Sequence, residues 1–456
     1  MKKVLLLSGL LSIPALFFAQ FKDDSTTIKR IVDETMSHGT AYTNLRGLCK
    51  KVGQRLSGSP QFVKGVRMIN QFMKEAGADT VYLQQCLVPH WVRGEKEQGN
   101  LLLAGGQKHT LKLCALGTSV GTGNKGVAGE VVEVKTMEEL ANLGTSALTG
   151  KIVFFNLIMN PTYINSFQAY GESGVARRAG PAQASKYGAI AVMVRSLSNT
   201  LNDNPHTGVT RYNDSFPKIP AIAISTNDAE FLSKELKKGR VRAFIKTSCK
   251  TYADAPGYNV VGEIRGTEHP EQIITVGGHL DSWDLAEGAN DDGSGVVQSI
   301  EVLRTIRALG LKSKRTIRAV AFANEEISGT GAKKYLEEAK SKHEQHLFAL
   351  ESDAGGFTPR GFSLDMPEAQ QNKIKYWQPL FYPYGVYNFV PGGSGSDVGD
   401  LKELGTALAG LNPDTQRYFE IHHAVTDVFE NVNERELKLG AANMTALIWL
   451  ISEYGL

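Results

Sequence analysis

The four cysteines of this 456-residue chain, Cys49, Cys86, Cys114 and Cys249, lie far apart, and no two form a C-x-x-C pair. That spacing argues against a metal site built on thiolates. A chain of this length can build a large core without cross-links, so a disulfide scaffold is not required. One bridge and four buried free thiols both remain open. An excess of charge of one sign is also missing. Lys and Arg number 50 against 47 Asp and Glu, and no block of like charges stands out. This balance argues against nucleic acid and acidic membranes as partners. The sequence shows no internal repeat and no low-complexity tract. There is no G-x-S-x-G elbow either, which removes the serine-hydrolase reading. Gly121-Thr-Gly-Asn-Lys-Gly126 fits G-x-G-x-x-G. A strand-like run, Val131 to Val134, follows it where a dinucleotide site needs a helix. Ser394-Gly-Ser-Asp397 resembles a nucleophile loop, but no general base can be assigned to it.

Long apolar runs are confined to the beginning. Met1-Lys-Lys is followed by Val4 to Ala19, almost wholly apolar, and then by Gln20-Phe-Lys-Asp-Asp. A basic start, an apolar stretch and a small residue at a cleavage point read as a signal peptide over residues 1–20. The run is shorter than the ~20 residues a spanning helix needs, and Pro14 interrupts it. The expectation is an exported protein, periplasmic or extracellular, with no stable membrane insertion after cleavage.

The remainder is long enough for two or three domains. Phe62, Val66, Ile69, Phe72 and Met73 have helical spacing, closed by Gly77. The glycine-rich stretch Gly117 to Gly129 marks a boundary. Strand-like and helical segments then form an α/β unit of ordinary domain size. From Asn259 onward strands and helices alternate, which predicts a mostly parallel sheet with helices on both faces. The expected organisation is a catalytic domain in two segments, 21–120 and 251–456, with an inserted α/β domain over 121–250.

Candidate chemistry gathers at the strand ends of the last segment. In open α/β sheets, ligands bind outside the carboxyl ends of the strands. His279 ends the strand Ile273-Ile-Thr-Val-Gly-Gly. Asp291 lies in the loop Gly288-Ala-Asn-Asp-Asp-Gly-Ser-Gly295, which opens a helix. Glu325 and Glu326 end Ile317-Arg-Ala-Val-Ala-Phe-Ala-Asn, Asp353 follows Leu347-Phe-Ala-Leu-Glu-Ser, and His423 lies beyond the last strand. Singly each is a weak signal: Asp291-Asp292 before a helix also suits a plain N-cap. Together, imidazoles and carboxylates without thiolates suit zinc, with manganese or cobalt as alternatives. The set exceeds what one tetrahedral ion needs, and a bridging Asp291 resolves the count. His279 and Asp353 then serve one ion, Glu326 and His423 the other. Two ions about 3.5–4 Å apart can hold a hydroxide between them and polarise a carbonyl. Glu325 is left as general base and acid. Asp281, two residues after His279, is expected to hold that imidazole from behind.

Gly278-His-Leu-Asp-Ser-Trp-Asp, Gly288-Ala-Asn-Asp-Asp-Gly-Ser-Gly, Asn324-Glu-Glu, Glu351-Ser-Asp-Ala-Gly and His422-His-Ala-Val-Thr-Asp427 resemble the motifs of the M28 zinc peptidases. Asn204-Pro-His-Thr-Gly and Phe216-Pro-Lys-Ile-Pro220 are similar to the inserted domain of the carboxypeptidase Q subgroup. The resemblance covers nearly the whole mature chain. It implies the zinc exopeptidase fold, an inserted protease-associated (PA) domain, two zinc ions bridged by Asp291, and a homodimer. It also implies substrates that are dipeptides or short peptides with free termini. The choices of Asp291 over Asp292 and of His423 over His422 rest on the family spacing. Two departures stand out. Asn324 replaces a small residue, and His422 stands where other branches carry tyrosine, a place from which it could hydrogen-bond an oxyanion. Two other readings have distinct signatures: a non-catalytic receptor module would lack ligands, and a single-zinc acyltransferase like the glutaminyl cyclases would lack the bridge.

Overall fold

The structure is a computed structural model that describes the backbone of residues 12–456 and side chains from residue 22 onward. The expected signal peptide therefore lies largely outside the described residues. Among the described residues the strands form two eight-stranded sheets.

The first sheet carries the candidate site. At its centre, His269–His279 runs parallel to Arg315–Phe322 on one side and to Gln345–Glu351 on the other, and Ala407–Pro413 continues the parallel run. Thr80–Val92, Lys250–Ile264 and Pro359–Asp365 add antiparallel pairings toward the edges. Alternate residues of a strand point to opposite faces, so a strand covered on both sides is apolar except where a buried polar group is paired, as Arg318 is with Glu263 and Glu344. Arg315–Phe322 shows this: Ile317, Ala319 and Ala321 join the core on one face, Val320 and Phe322 the core on the other. The first core is closed by the helices Pro60–Glu75, Ser294–Ala308 and Glu434–Tyr454, the second by Thr330–Ser341. Helices on both faces of a parallel-centred sheet match the expected class.

Local signals start the helices where the site needs them. Ser59 caps Pro60–Glu75 by accepting the Phe62 amide, and Pro60 occupies the first turn, where no amide partner is needed. Asn433 caps Glu434–Tyr454 through the amides of Arg435 and Glu436.

Across the second sheet the strands lie in the order Lys108–Thr110, Gln98–Leu102, Arg242–Lys246, Val127–Val134, Ile152–Phe155, Ala191–Arg195, Ala221–Ile224 and Leu113–Ala115. It begins well ahead of the boundary expected at residue 121. That boundary follows the glycine-rich stretch Gly117 to Gly129, which leaves the strands over 98–115 on the catalytic side. Their pairing places them in the other sheet. The long antiparallel pair Thr80–Val92 and Lys250–Ile264 brings the chain out of the first sheet and returns it. All four cysteines are free and buried, which settles the open question for the thiols.

Candidate metal centre and active site

The parallel register sets the depth of the site. His279 lies level with Phe322 and Gly277 with Glu351. Residues just past these strand ends, Glu325, Glu326 and Asp353, therefore emerge at the edge where His279 stands. The helix Ser294–Ala308 starts directly after Ala289–Gly293, which holds Asp291 over the same edge.

Asp291 occupies the middle. Its Oδ1 lies 3.2 Å from His279 Nε2, and its Oδ2 lies 3.2 Å from His423 Nε2. His279 Nε2 is also 3.1 Å from Asp353 Oδ1, and His423 Nε2 is 3.1 Å from Glu326 Oε2. Bonds of about 2.0–2.1 Å to a tetrahedral ion place its ligand atoms about 3.3 Å apart. The spacings fit two such ions, one against each oxygen of Asp291. The other Glu326 oxygen, Oε1, is buried without a hydrogen-bond partner, as an atom reserved for a cation would be.

The neighbours that sequence spacing left ambiguous separate by geometry. Asp292 also offers an oxygen near His279 and Asp353. Its Oδ2 accepts the His279 amide at 3.0 Å and its Oδ1 the Gly295 amide at 2.9 Å, so both oxygens fasten backbone. Gly295 has no alternative here, because a Cβ would lie 2.5 Å from Asp292 Oδ1. His422 Nε2 stands 3.7 Å from Asp291 Oδ2, farther than His423, and its ring stacks on His423 with centroids 3.6 Å apart.

The expectation for Asp281 needs correction. The His279 Nδ1 hydrogen goes to the Asp281 main-chain carbonyl at 2.9 Å, while the nearer carboxylate oxygen is 3.8 Å away. The chain turns off the strand after His279, so the alternation that would aim both side chains together stops there. The Asp281 carboxylate instead accepts the Glu325 amide at 3.0 Å and the Ser57 hydroxyl at 3.1 Å. A carbonyl can only accept, so Nδ1 carries the hydrogen and Nε2 offers its lone pair to the site. Glu325 is half-buried, and Asp281, Glu351, Asp353 and Asp397 all feel its charge as a like-charged neighbour.

Electrostatics make the bare site costly. Burial pushes the Glu326 carboxyl up to about 8, and Asp291 adds to the shift. Asp353 is raised by burial, then by Asp291 and Glu325, although one side of it opens to a cleft. Burial also works against a charged Asp291 and a charged His279, but the contacts between them prevail: Asp291 falls well below its ordinary range and His279 rises well above. Carboxylates gathered this closely call for cations.

Several residues in the arrangement were not among the candidate site residues. Arg55 is fully buried and donates to the carbonyls of Leu280, Glu287 and Gly288, spanning the loop under Asp291. Asp427 accepts the amides of Asn290 and Asp291 at 2.8 and 3.2 Å. Asp427 stood inside a quoted motif, and its position there was the available clue. Arg55 lay in an unremarkable loop. From the second unit, Arg177 Nη1 comes within 3.3 Å of His423 Nδ1, and Tyr170 meets the His422 ring edge to face.

The space beside Asp291, Glu326 and His423 on the Trp283 side is only about 10 Å³. On the other side a cleft of about 900 Å³ opens at Glu351 and Asp353. It runs between Ile164 and Phe167 of the second unit and the glycine-rich segment 392–395, with Arg360 on its wall.

Comparison with known proteins agrees with this arrangement. The family model of Peptidase family M28 matches residues 259–448. Carboxypeptidase Q of Homo sapiens is 34% identical over 415 residues, covering 91% of this chain and 84% of that protein. The crystal structure of a peptidase M28 precursor from Shewanella amazonensis SB2B superposes with a TM-score of 0.90 at 29% identity, over 95% of this chain and 97% of that one. A zinc aminopeptidase from Bacillus subtilis shares the fold, with a TM-score of 0.63 at 22% identity over 90% of this chain and 94% of that one. With histidines and carboxylates gathered at its strand ends and this likeness along nearly the whole length, the chain belongs to peptidase family M28, the zinc peptidases.

Proposed function

We propose that this chain is an exported di-zinc exopeptidase acting on dipeptides or short peptides. The observation that carries the reading is Asp291, whose two oxygens each lie 3.2 Å from a different histidine, His279 and His423, while each histidine lies 3.1 Å from a further carboxylate. His279 and Asp353 would hold one ion with Oδ1, and His423 and Glu326 the other with Oδ2. Bound zinc supplies Lewis-acid activation of the attacking water and of the scissile carbonyl. The remaining work belongs to side chains. Glu325 has no place in either ligand set and stands at the rim of the site. It takes the proton from the attacking water and delivers it to the leaving amine. Asp281 fixes Glu325 through its amide. His422, kept neutral by burial and by the neighbouring His423, offers an N–H to the oxyanion.

Substrate enters through the 900 Å³ cleft, because the Trp283 side leaves no room for a peptide. Such a volume suits a ligand of a few residues. The relative's printed name, carboxypeptidase Q, supports a free carboxyl end on the substrate. The second sheet and its helices are read as a PA domain that roofs this cleft, and the chain as a homodimer; the family resemblance supports both. Export rests on the first twenty residues.

The test is a zinc count on the purified protein together with hydrolysis of free and terminally blocked dipeptides. Two ions per chain and cleavage of the free dipeptides are expected. One ion with cyclisation of amino-terminal glutamine would favour the acyltransferase reading. Neither bound zinc nor turnover would favour a receptor.

A further inference from the structure

The loop that carries His422 and His423 takes main-chain partners from the second unit. Thr207 N donates to the His423 carbonyl at 2.9 Å, and His206 Nδ1 donates to the His422 carbonyl at 2.7 Å. In the return direction, His423 Nδ1 faces the Thr207 carbonyl at 3.4 Å. The donor segment is itself fastened. His206 N donates to Ser196 Oγ, Thr207 Oγ1 to the Ala115 carbonyl, and Gly117 N to the Gly208 carbonyl. Gly208 has φ +123, and a Cβ on it would lie 2.7 Å from His423 Nδ1 and press on the Arg177 guanidinium. His423 has φ +60, a left-handed conformation that a residue with a side chain holds only when its surroundings impose it. His206 is buried, and its Nε2 has no partner, so its one hydrogen bond goes to the His422 carbonyl.

We infer that His206–Gly208 is a positioning splint for His423, so that the second unit completes one of the two metal positions. Three contacts define it. Two main-chain carbonyls of the histidine loop are tied to His206 and Thr207. The Thr207 carbonyl then faces His423 Nδ1 at 3.4 Å, beside Arg177 Nη1 at 3.3 Å, and so holds that ring edge away from the site with Nε2 toward Asp291 and Glu326. The inference rests on the reading that His423 holds an ion, and it assigns the second unit a task separate from covering substrate.

The experiment measures the two zinc affinities by chelator competition in the full-length protein, with cobalt substitution to report the geometry of each position by absorption. His206→Ala and Gly208→Ala are expected to weaken one ion by about 10–100-fold and leave the other unchanged. His206→Asn, which keeps a donor near Nδ1, is expected to restore most of the loss. His423→Ala serves as the reference and should remove the same ion. Gly208→Ala acts through a different atom from His206→Ala, so the result does not depend on one variant's folding, which circular dichroism checks. Wild-type affinity at both positions in His206→Ala and Gly208→Ala would overturn the splint while leaving the metal assignment intact. Equal weakening of both ions would overturn it too. Retention of both ions in His423→Ala would overturn the metal assignment and the splint together.

Discussion

Single residues divide the labour at this site, and neighbouring residues divide it unequally. Asp291 and Asp292 are adjacent acids, yet one faces two imidazoles and the other fastens two amides. Adjacent histidines behave the same way, with His423 close to two carboxylates and His422 set back and stacked on it. If His422 donates to the oxyanion, His422→Ala should lower kcat by about 10²–10³ with both zincs retained. Loss of an ion in that variant would assign His422 to the metal, and unchanged turnover would remove it from the mechanism. The thiols make a simpler case. Burial pushes Cys49 and Cys114 up to about 12 and Cys86 and Cys249 to about 11. A thiol reagent at neutral pH should therefore find the four thiols only after unfolding, and a reductant should leave the melting temperature unchanged.

At the scale of elements, the site was legible wherever a strand ended in chemistry. His279, Glu325, Glu326 and Asp353 follow buried runs whose apolar length marks where each strand stops, and the carboxyl ends of parallel strands converge. What could not be read was tertiary. Arg55 precedes its helix by a few residues and reaches carbonyls more than two hundred positions away, a relation with no local pattern. The short strands over 98–115 look alike whichever sheet receives them, so their pairing in the second sheet has no local signal. Pro359–Asp365 and Asn388–Pro391 escaped notice because proline and glycine interrupt or flank them at the sheet edge. Arg55 yields a prediction for the loop it spans. Arg55→Met leaves buried carbonyls without donors, so unfolding stability should drop by about 3 kcal/mol or more. Chemical denaturation measures this, and a change under about 1 kcal/mol would show that water replaces the guanidinium.

The whole molecule couples folding to cations. Burial raises Glu326 and Glu351 to about 8 and Asp427 to about 7. Unfolded carboxyls titrate near 4. The folded zinc-free chain thus keeps protons between about pH 4 and pH 8 that the unfolded chain releases, so these groups make it less stable as pH rises through that window. Zinc binding favours the ionised carboxylates and displaces those protons. The rise in melting temperature on adding zinc should therefore be larger at pH 8 than at pH 5.5; an equal or smaller rise at pH 8 would contradict the linkage. The two units meet at this centre, where the second unit contributes the partners of the His422–His423 loop and one wall of the cleft. The central claim, that Glu326 holds metal while Glu325 moves the proton, is tested most directly by Glu325→Gln. Bound zinc and dipeptide turnover are measured side by side with the wild type. Two zincs are expected in both proteins, with a loss of turnover of about 10²–10⁴-fold in the variant. Turnover that survives at wild-type level with both ions bound would contradict it.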